Sequence, residues 1–288
     1  MRFELTDDQR DFAAAIDGLL AAADTVQTAR AWADGDHDPG LKLWARLAGL
    51  GVTVLATEAT PVEVCIAFEA LGRHAVPGPW VESAAYLPVA LGREVEGVAT
   101  VAAPPHALLA LDADVADEVY VGSTPVTDLG AMRRSVDRTR RLFEVEGDPV
   151  AWDAAFDSAV LAVSAQLLGA GERVLADTVA YAKQRRQFGR EIGSYQAIKH
   201  ALADARIALD FARPLVYAAA LGEISPSAAK VAAGDAAYLT SRTGLQVHGA
   251  VGYTAELDLS LWITKIRALV SAWGTPAVHR ERLLAEVL

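Results

Sequence analysis

Residues 181–196 read Tyr-Ala-Lys-Gln-Arg-Arg-Gln-Phe-Gly-Arg-Glu-Ile-Gly-Ser-Tyr-Gln and join two long apolar segments with helical spacing. The guanidinium of Arg185 presents a planar fork of donors that suits phosphate oxygens. Gly189 allows a tight turn, and Phe188 offers an apolar face beside it. Taken alone, an arginine pair at a helix end is more often a solvated cap that compensates the helix dipole. The residue types by themselves therefore favour a structural role.

A second segment, residues 246–254, reads Gln-Val-His-Gly-Ala-Val-Gly-Tyr-Thr at the predicted end of a helix. Gly249 and Gly252, with the small Ala250 between them, leave room for a ligand against the backbone. The alternative is a helix C-terminus capped by glycine, which is the commoner use of such a segment. His248 is compatible with packing at the helix end and with contact to a cofactor.

The two segments together, in this order, resemble the acyl-CoA dehydrogenase family, which has Arg-x-x-Phe-Gly…Gln followed by Gln-x-x-Gly-Gly-x-Gly-Tyr-Thr. The helix from Ala228 to Leu245 and the N-terminal pattern from Leu5 to Arg73 are similar to the family as well. The resemblance covers most of the chain, is strong from about 155 to 275, and is weak across the predicted β region. It implies FAD as cofactor and an acyl-CoA thioester as substrate.

The resemblance also implies where FAD is bound, namely at an interface between subunits. The β domain of one subunit holds the isoalloxazine, and the C-terminal bundle of its neighbour holds the pyrophosphate and adenine. By position, Arg185 would contact the pyrophosphate. Ala250 stands where the family motif Gln-x-x-Gly-Gly-x-Gly-Tyr-Thr commonly has its second glycine. The implied cofactor-binding residues are Arg185, Phe188, Gln196, Gln246, Gly249 and Gly252.

Hydrophobic periodicity predicts three regions. The capping-box spacing of Thr6-Asp7-Asp8-Gln9 opens an N-terminal helical domain, residues 1–94. Short β-prone runs separated by Pro, Gly and Asp predict a small β module over 95–148. Residues 149–288 are helical again and predict a four-helix bundle. The predicted fold class is therefore mainly α and acyl-CoA dehydrogenase-like, with a shortened middle β module.

The sequence departs from the family at the catalytic base. Many members have a glutamate before a Gly-Thr pair after the last core helix, and it removes the α-proton of the thioester. Trp273 stands at that position, cannot abstract a proton, and is expected to occlude the pocket of the acyl chain. Some members place the glutamate where Asp157 aligns, but aspartate is one methylene shorter and also suits a helix first turn. We therefore predict no catalytic residue in this chain, with Asp157 as the remaining candidate.

The β module departs as well, because it lacks a Thr/Ser-Glu-Pro-x-Ala-Gly-Ser-like loop, which in the family holds the flavin ring and acyl-CoA. This pattern resembles the non-catalytic subunits of heteromeric acyl-CoA dehydrogenases of actinobacterial steroid degradation. It implies an α2β2 assembly with a homologous catalytic subunit and a steroid-derived acyl group. Two alternatives stay open: a self-sufficient homo-oligomeric flavoenzyme that uses Asp157 as base, and a scaffold subunit without flavin.

Composition excludes several classes of function. A net charge of −11 and a pI near 5.0 argue against sequence-independent binding of nucleic acid. The single cysteine, Cys65, excludes an intrachain disulfide and CxxC-type metal sites, so no metal is expected. No membrane-spanning segment and no signal peptide are predicted, which favours a cytoplasmic location. The apolar helix over 160–183 predicts a bundle-mediated oligomer, because one domain would not easily cover all its faces.

Overall fold

The structure, a computed structural model, describes residues 4–105, 107–147 and 153–288. Its helices are α1 (Asp7–Ala21), α2 (Thr25–Asp34), α3 (Asp38–Gly49), α4 (Leu55–Glu58), α5 (Pro61–Arg73), α6 (Leu87–Leu91), α7 (Asp153–Gln184), α8 (Gln196–Ala220), α9 (Pro226–His248), α10 (Leu259–Ser271) and α11 (Pro276–Val287). Its strands are β1 (Ala99–Ala102), β2 (Ala110–Leu111), β3 (Glu118–Val121), β4 (Thr124–Val126), β5 (Met132–Arg134), β6 (Arg141–Phe143), β7 (Arg186–Gln187) and β8 (Arg190–Glu191). The predicted mainly-α fold class is confirmed.

Capping residues set the starts of the N-terminal helices. Thr6 and Gln9 form the predicted capping box of α1, and Thr60 and Glu63 form a second one at the start of α5. The sequence interpretation missed α2, since it assigned no separate helix to residues 25–34. The Asp24 side chain accepts a hydrogen bond from Gln27 N and begins that helix.

The β module consists of two small three-stranded sheets. In the first, β3 lies between parallel β1 and antiparallel β4, and in the second, β6 lies between antiparallel β2 and β5. The buried Lys265 on α10 ties the module to the bundle, since its Nζ lies 3.2 Å from Asp137 Oδ2 and donates to Thr139 Oγ1 at 3.2 Å. The predicted shortened β module is confirmed, although β4 and β5 were missed because their residues are mostly exposed.

Helix α7 lies at the centre of the fold and packs against α5, α8, α9 and α10. Its backbone touches that of α5, since a Cβ added to Gly169 would lie 1.9 Å from Glu69 O, and one added to Gly72 would lie 2.1 Å from Gln166 O. Residues 154–184 are long and apolar enough to cross a membrane, but 83% of their most apolar window is buried in the chain. The expectation that α7 keeps apolar faces for another subunit is therefore wrong.

An ion-pair network joins α5, α7 and α8. Arg213 donates to both carboxylate oxygens of the buried Glu69, at 2.9 and 3.0 Å, and to Glu172 at 3.1 Å. Arg206 donates to both oxygens of Glu172 at 2.7 Å. Burial raises the pKa of Tyr217, whose hydroxyl donates to Glu69 at 3.3 Å. These contacts fix α8 against the rest of the bundle.

The outer face of α8 carries a row of apolar side chains that this chain leaves uncovered. The helix continues through Pro214 as one element. Ile207, Phe211 and Leu215 lie four residues apart and are exposed. The predicted boundaries between the three domains, at 94/95 and at 148/149, stay a prediction. The second boundary lies outside the residues that the structure describes.

Candidate functional site

The segment 181–196 forms a small hairpin at the end of α7. Strands β7 and β8 are joined by a two-residue turn, Phe188 and Gly189, with φ values of 51° and 83°. Two positive φ angles define a type I′ turn, which favours Asn-Gly or Gly-Gly and is unfavourable for a bulky side chain. Phe188 is nonetheless 92% exposed. A strained aromatic residue presented to solvent is a candidate contact for a partner or ligand.

Contacts within the segment hold this hairpin in place. Ile192 N donates to Arg185 O at 2.8 Å, and Tyr195 Oη donates to Gln187 O at 3.2 Å. The Arg190 guanidinium lies 3.9 Å from the centre of the Tyr195 ring. The exposed Arg185 side chain makes no hydrogen bond or ion pair within the described residues, so its donors are free for a ligand.

The second segment lies directly beside the first. The His248 ring stacks on Tyr181, with centroids 4.2 Å apart, and its Nδ1 lies 2.8 Å from Gly244 O. His248 is buried, so this structure assigns it to packing between the two segments. Gly249 caps α9 with φ 64° and ψ −139°, a conformation restricted to glycine, and a Cβ there would meet nothing within 4 Å.

The six predicted cofactor residues fall into two groups. The side chains of Arg185, Phe188, Gln196 and Gln246 are exposed, and Gly249 is half-buried. Gly252 is buried, and its Cβ would lie 3.1 Å from Leu245 Cδ1, so packing within the chain already explains the glycine. Gly252 also lines a cleft of about 320 Å³, and the other five predicted cofactor residues are not part of that lining.

Trp273 lies where the sequence comparison expects the family's glutamate. Its φ is 55°, it is 2% exposed, and its ring packs against Tyr86 and Phe156 with centroids 4.9 and 6.4 Å away. The indole Nε1 donates to Glu82 Oε1 at 3.3 Å. An indole N–H is a donor only, so Trp273 offers no acceptor for a proton.

A cleft of about 600 Å³ lies beside Trp273, between the β module and the end of α10. We call it the Trp273 cleft; it is lined by Glu82, Ala107, Leu108, Leu109, Leu111, Ser135, Val136, Arg140, Leu142, Arg267, Ala268, Ser271, Ala272 and Trp273. The expectation that the indole occludes the pocket needs correction here, because the ring turns inward and forms one wall of open volume.

Glu82 is the residue of this cleft that the sequence interpretation missed. It lies on a π-helical turn, Glu82–Tyr86, and is 4% exposed. Burial raises its pKa, while the charge of Arg140 and the Trp273 hydrogen bond act in the opposite direction. A lone acidic residue between Trp80-Val81 and a run of small apolar residues was the available signal.

Asp157 lies elsewhere. Its Oδ1 accepts from Arg282 Nη2 at 2.9 Å, and it lines a separate cleft of about 250 Å³ beside Pro61 and Pro226. The structure therefore does not bring Asp157 to the Trp273 cleft. Among the residues that the structure describes, no group of three or more His, Cys, Asp or Glu side chains could hold a metal ion.

Comparison with known proteins identifies the family. The family model for the acyl-CoA dehydrogenase C-terminal domain matches residues 146–288. The acyl-CoA dehydrogenase IpdE2 of Mycobacterium tuberculosis is 36% identical over 159 residues, which are 53% of this chain and 50% of that protein. IpdE2 of Mycolicibacterium smegmatis is 30% identical over 281 residues, which are 87% of this chain and 89% of that protein.

Solved structures share the fold. The ChsE4-ChsE5 complex from Mycobacterium tuberculosis matches with a TM-score of 0.78 at 21% identity, covering 100% of this chain and 99% of that chain. The Tcur3481-Tcur3483 steroid acyl-CoA dehydrogenase, a G363A variant, matches with a TM-score of 0.79 at 20% identity, covering 98% of each chain. At this identity the likeness shows the fold alone, and both neighbours are heteromeric complexes.

The chain belongs to the acyl-CoA dehydrogenase family. The family consists of oxidoreductases that act on CH–CH bonds, and its cofactor is FAD.

Proposed function

We propose that this chain is a non-catalytic subunit of a heteromeric FAD-dependent acyl-CoA dehydrogenase and completes the FAD site of a homologous catalytic subunit. One observation carries the proposal. The hairpin with Arg185 and Phe188 is exposed. By the family resemblance, Trp273 stands where many members have the catalytic glutamate. The chain would thus present a cofactor-binding surface to another subunit. At Trp273, the position of the family's catalytic base, it offers no group that can accept a proton.

The exposed residues fit a dinucleotide. Arg185 has free donors for the pyrophosphate, and Phe188 offers an uncovered aromatic face. Gln196 and Gln246 supply exposed amide groups within the same two segments. When bound, FAD supplies the hydride acceptor for α,β-dehydrogenation of an acyl-CoA thioester.

Proton removal from the substrate is assigned to the partner. Asp157 is engaged by Arg282 and lies outside the Trp273 cleft, so its geometry argues against the alternative of a self-sufficient enzyme. The exposed Arg185 and Phe188 argue against a flavin-free scaffold, because a scaffold would gain nothing from a strained, uncovered aromatic turn. The isolated chain is expected to lack acyl-CoA dehydrogenase activity.

The proposed assembly is an α2β2 heterotetramer in the cytoplasm, acting on a steroid-derived acyl-CoA. The heteromeric complexes that share its fold support a second, homologous subunit. The exposed row of Ile207, Phe211 and Leu215 on α8 supports contact with another chain. The steroid-derived acyl group is supported by the family resemblance and by the steroid acyl-CoA dehydrogenase among the structural neighbours.

The test is replacement of Arg185 by alanine in the chain co-expressed with a homologous catalytic subunit. A hydrogen bond to a charged group contributes about 1.5–3 kcal/mol, so FAD should bind about 10- to 150-fold more weakly. Flavin absorbance of the purified complex measures occupancy, and a thermal melt checks the fold. Arg133→Ala, which removes an exposed arginine paired with Glu144 in the β module, is the matched control and should retain FAD.

Three results would contradict the proposal. Unchanged FAD affinity in Arg185→Ala would remove the assigned pyrophosphate contact. A chain that is yellow and active when purified alone would establish the self-sufficient enzyme. Absence of flavin with every co-expressed homologue would establish the scaffold.

A further inference from the structure

The turn between α10 and α11, residues 272–275, has a backbone conformation that requires support. We call it the Trp273 turn. Trp273 and Gly274 have φ values of 55° and 97°, and this left-handed region is unfavourable for a side chain as bulky as an indole. A Cβ added to Gly274 would lie 2.7 Å from His279 Nε2, so α11 packs directly against the turn. Contacts from neighbouring elements must therefore hold the strained conformation.

The buried Lys230 on α9 reaches the turn from below the end of α10. Its Nζ donates to Leu269 O at 3.1 Å, to Val270 O at 2.9 Å and to Gly274 O at 3.5 Å. The first two belong to the last turn of α10, where helix carbonyls lack partners within the helix. Lys230 is 2% exposed and forms no salt bridge within the described part of the chain. Three carbonyl oxygens thus share one amino group.

Other titratable or charged side chains surround the Trp273 turn on the β module, the π-helical turn, α7, α10 and α11. They are Glu82, Arg140, Asp157, Arg267, His279 and Arg282. Among them, His279 contacts the turn's backbone, since its Nε2 lies 2.9 Å from Trp273 O and its Nδ1 lies 3.0 Å from Ser227 Oγ. Any pH dependence of the turn must therefore be separated between Lys230 and His279.

The number of hydrogens that Lys230 can donate depends on its protonation. Burial disfavours the charged form and lowers the pKa of Lys230 to about 7. An ammonium group has three N–H donors, one for each carbonyl, whereas a neutral amine has two and a lone pair that would face a carbonyl oxygen. The contact with Gly274 O is the longest of the three and is the one expected to be lost. The neutral amine would then still hold α10 but release the Trp273 turn.

We propose that Lys230 is a positioning residue whose ammonium group latches the Trp273 turn with its indole turned inward. Loss of the proton releases Gly274 O, and the indole gains a second position relative to Glu82. The change is local, because the unfolded chain keeps the Lys230 proton to higher pH and global stability still rises with pH. The proposal goes beyond the FAD-completing role and does not depend on it, since the latch lies within this chain.

Fluorine NMR of the full chain labelled with 5-fluorotryptophan tests the proposal. The chain has six tryptophans, and Trp273→Phe identifies the Trp273 resonance. Between about pH 6 and pH 9, this resonance should shift with a midpoint of about 7. The resonances of Trp44 and Trp80, which stack on each other with centroids 3.7 Å apart, should stay constant and serve as an internal control.

Variants assign the titration to its group. Lys230→Met removes the amine and should abolish the shift. Lys230→Arg keeps its charge at all these pH values and should hold the Trp273 resonance at its low-pH position. His279→Gln is the matched control, because it removes the other titratable group on the turn's backbone, and it should keep the midpoint of about 7.

A Trp273 resonance that stays constant with pH in the wild-type chain would overturn the proposal. So would a shift that persists in Lys230→Met, or one that disappears in His279→Gln, since either assigns the titration elsewhere. Where the Lys230 variants do not fold, the ¹³Cε resonances of the five lysines in the wild-type chain decide. One of them must titrate together with Trp273, and its absence would overturn the latch.

Discussion

Replacement of Phe188 by asparagine should stabilise the isolated chain while weakening its hold on FAD. Phe188 occupies the first central position of the type I′ turn at φ 51°, where a left-handed backbone costs an L-residue roughly 1–2 kcal/mol. Asparagine tolerates this conformation, and Asn-Gly is the preferred pair for such a turn. The phenyl ring is 92% exposed, so its removal sacrifices almost no packing in the isolated chain.

The expected gain is about 0.5–1 kcal/mol, a part of the left-handed cost. For a chain of this size that corresponds to a rise in Tm of about 1–4 °C. Thermal and urea unfolding of the isolated chain measure the gain, and flavin absorbance of the co-expressed complex measures the loss of cofactor. Gly189→Ala is the matched control at the next position, where φ is 83°, and it should destabilise the chain.

Two outcomes would refute this reasoning. A loss of stability in Phe188→Asn would show that the ring packs within the chain. Unchanged flavin occupancy would show that no cofactor contacts the ring in the assembled complex.

Three other perturbations follow from the structure. Gly169→Ala should destabilise the chain by about 1–3 kcal/mol or more, because the added Cβ would meet the backbone of α5 at Glu69. The control is Gly18→Ala on α1, where a Cβ would meet nothing within 4 Å, so this variant should be neutral or stabilising. Urea unfolding measures both changes. Burial lowers the pKa of Lys230 to about 7, so the unfolded chain binds more protons between about pH 7 and pH 10. Stability should therefore rise with pH across that window, and Lys230→Met should flatten the rise in unfolding experiments at several pH values. Asp157→Asn should leave the activity of the complex within a few-fold in a dye-coupled assay, whereas loss of a true general base lowers kcat by about 10²–10⁴-fold.

The sequence predicted those parts of the fold whose signals are local. Thr6 and Gln9 showed the start of α1, and Pro226 showed the start of α9. Helix α2 was missed although its Asp24 cap is a local signal, because its buried face carries only one large apolar side chain, Trp32. The short strands β4 and β5 were missed because exposed strands carry little hydrophobic alternation.

The candidate site also has parts that the sequence predicts and parts that depend on tertiary packing. The segments with Arg185 and Gln246 were recognisable because their residue order is specific, and the structure places them side by side through Tyr181 and His248. Glu82 could not be assigned to a site from the sequence, because Trp273 lies far from it along the chain and meets it only through tertiary packing. The direction of the Trp273 ring was equally inaccessible, since it depends on Tyr86 and Phe156 rather than on neighbouring residues.

The backbone contact between α5 and α7 has a consequence for synthesis of the chain. Gly72 leaves the ribosome about a hundred residues before Gly169, and at about 5–20 residues per second that interval lasts about 5–20 s. Throughout it, the surface of α5 that α7 later covers, including Glu69 and Gly72, lacks that native partner. The nascent polypeptide is therefore a natural client for a chaperone that shields hydrophobic segments until α7 emerges.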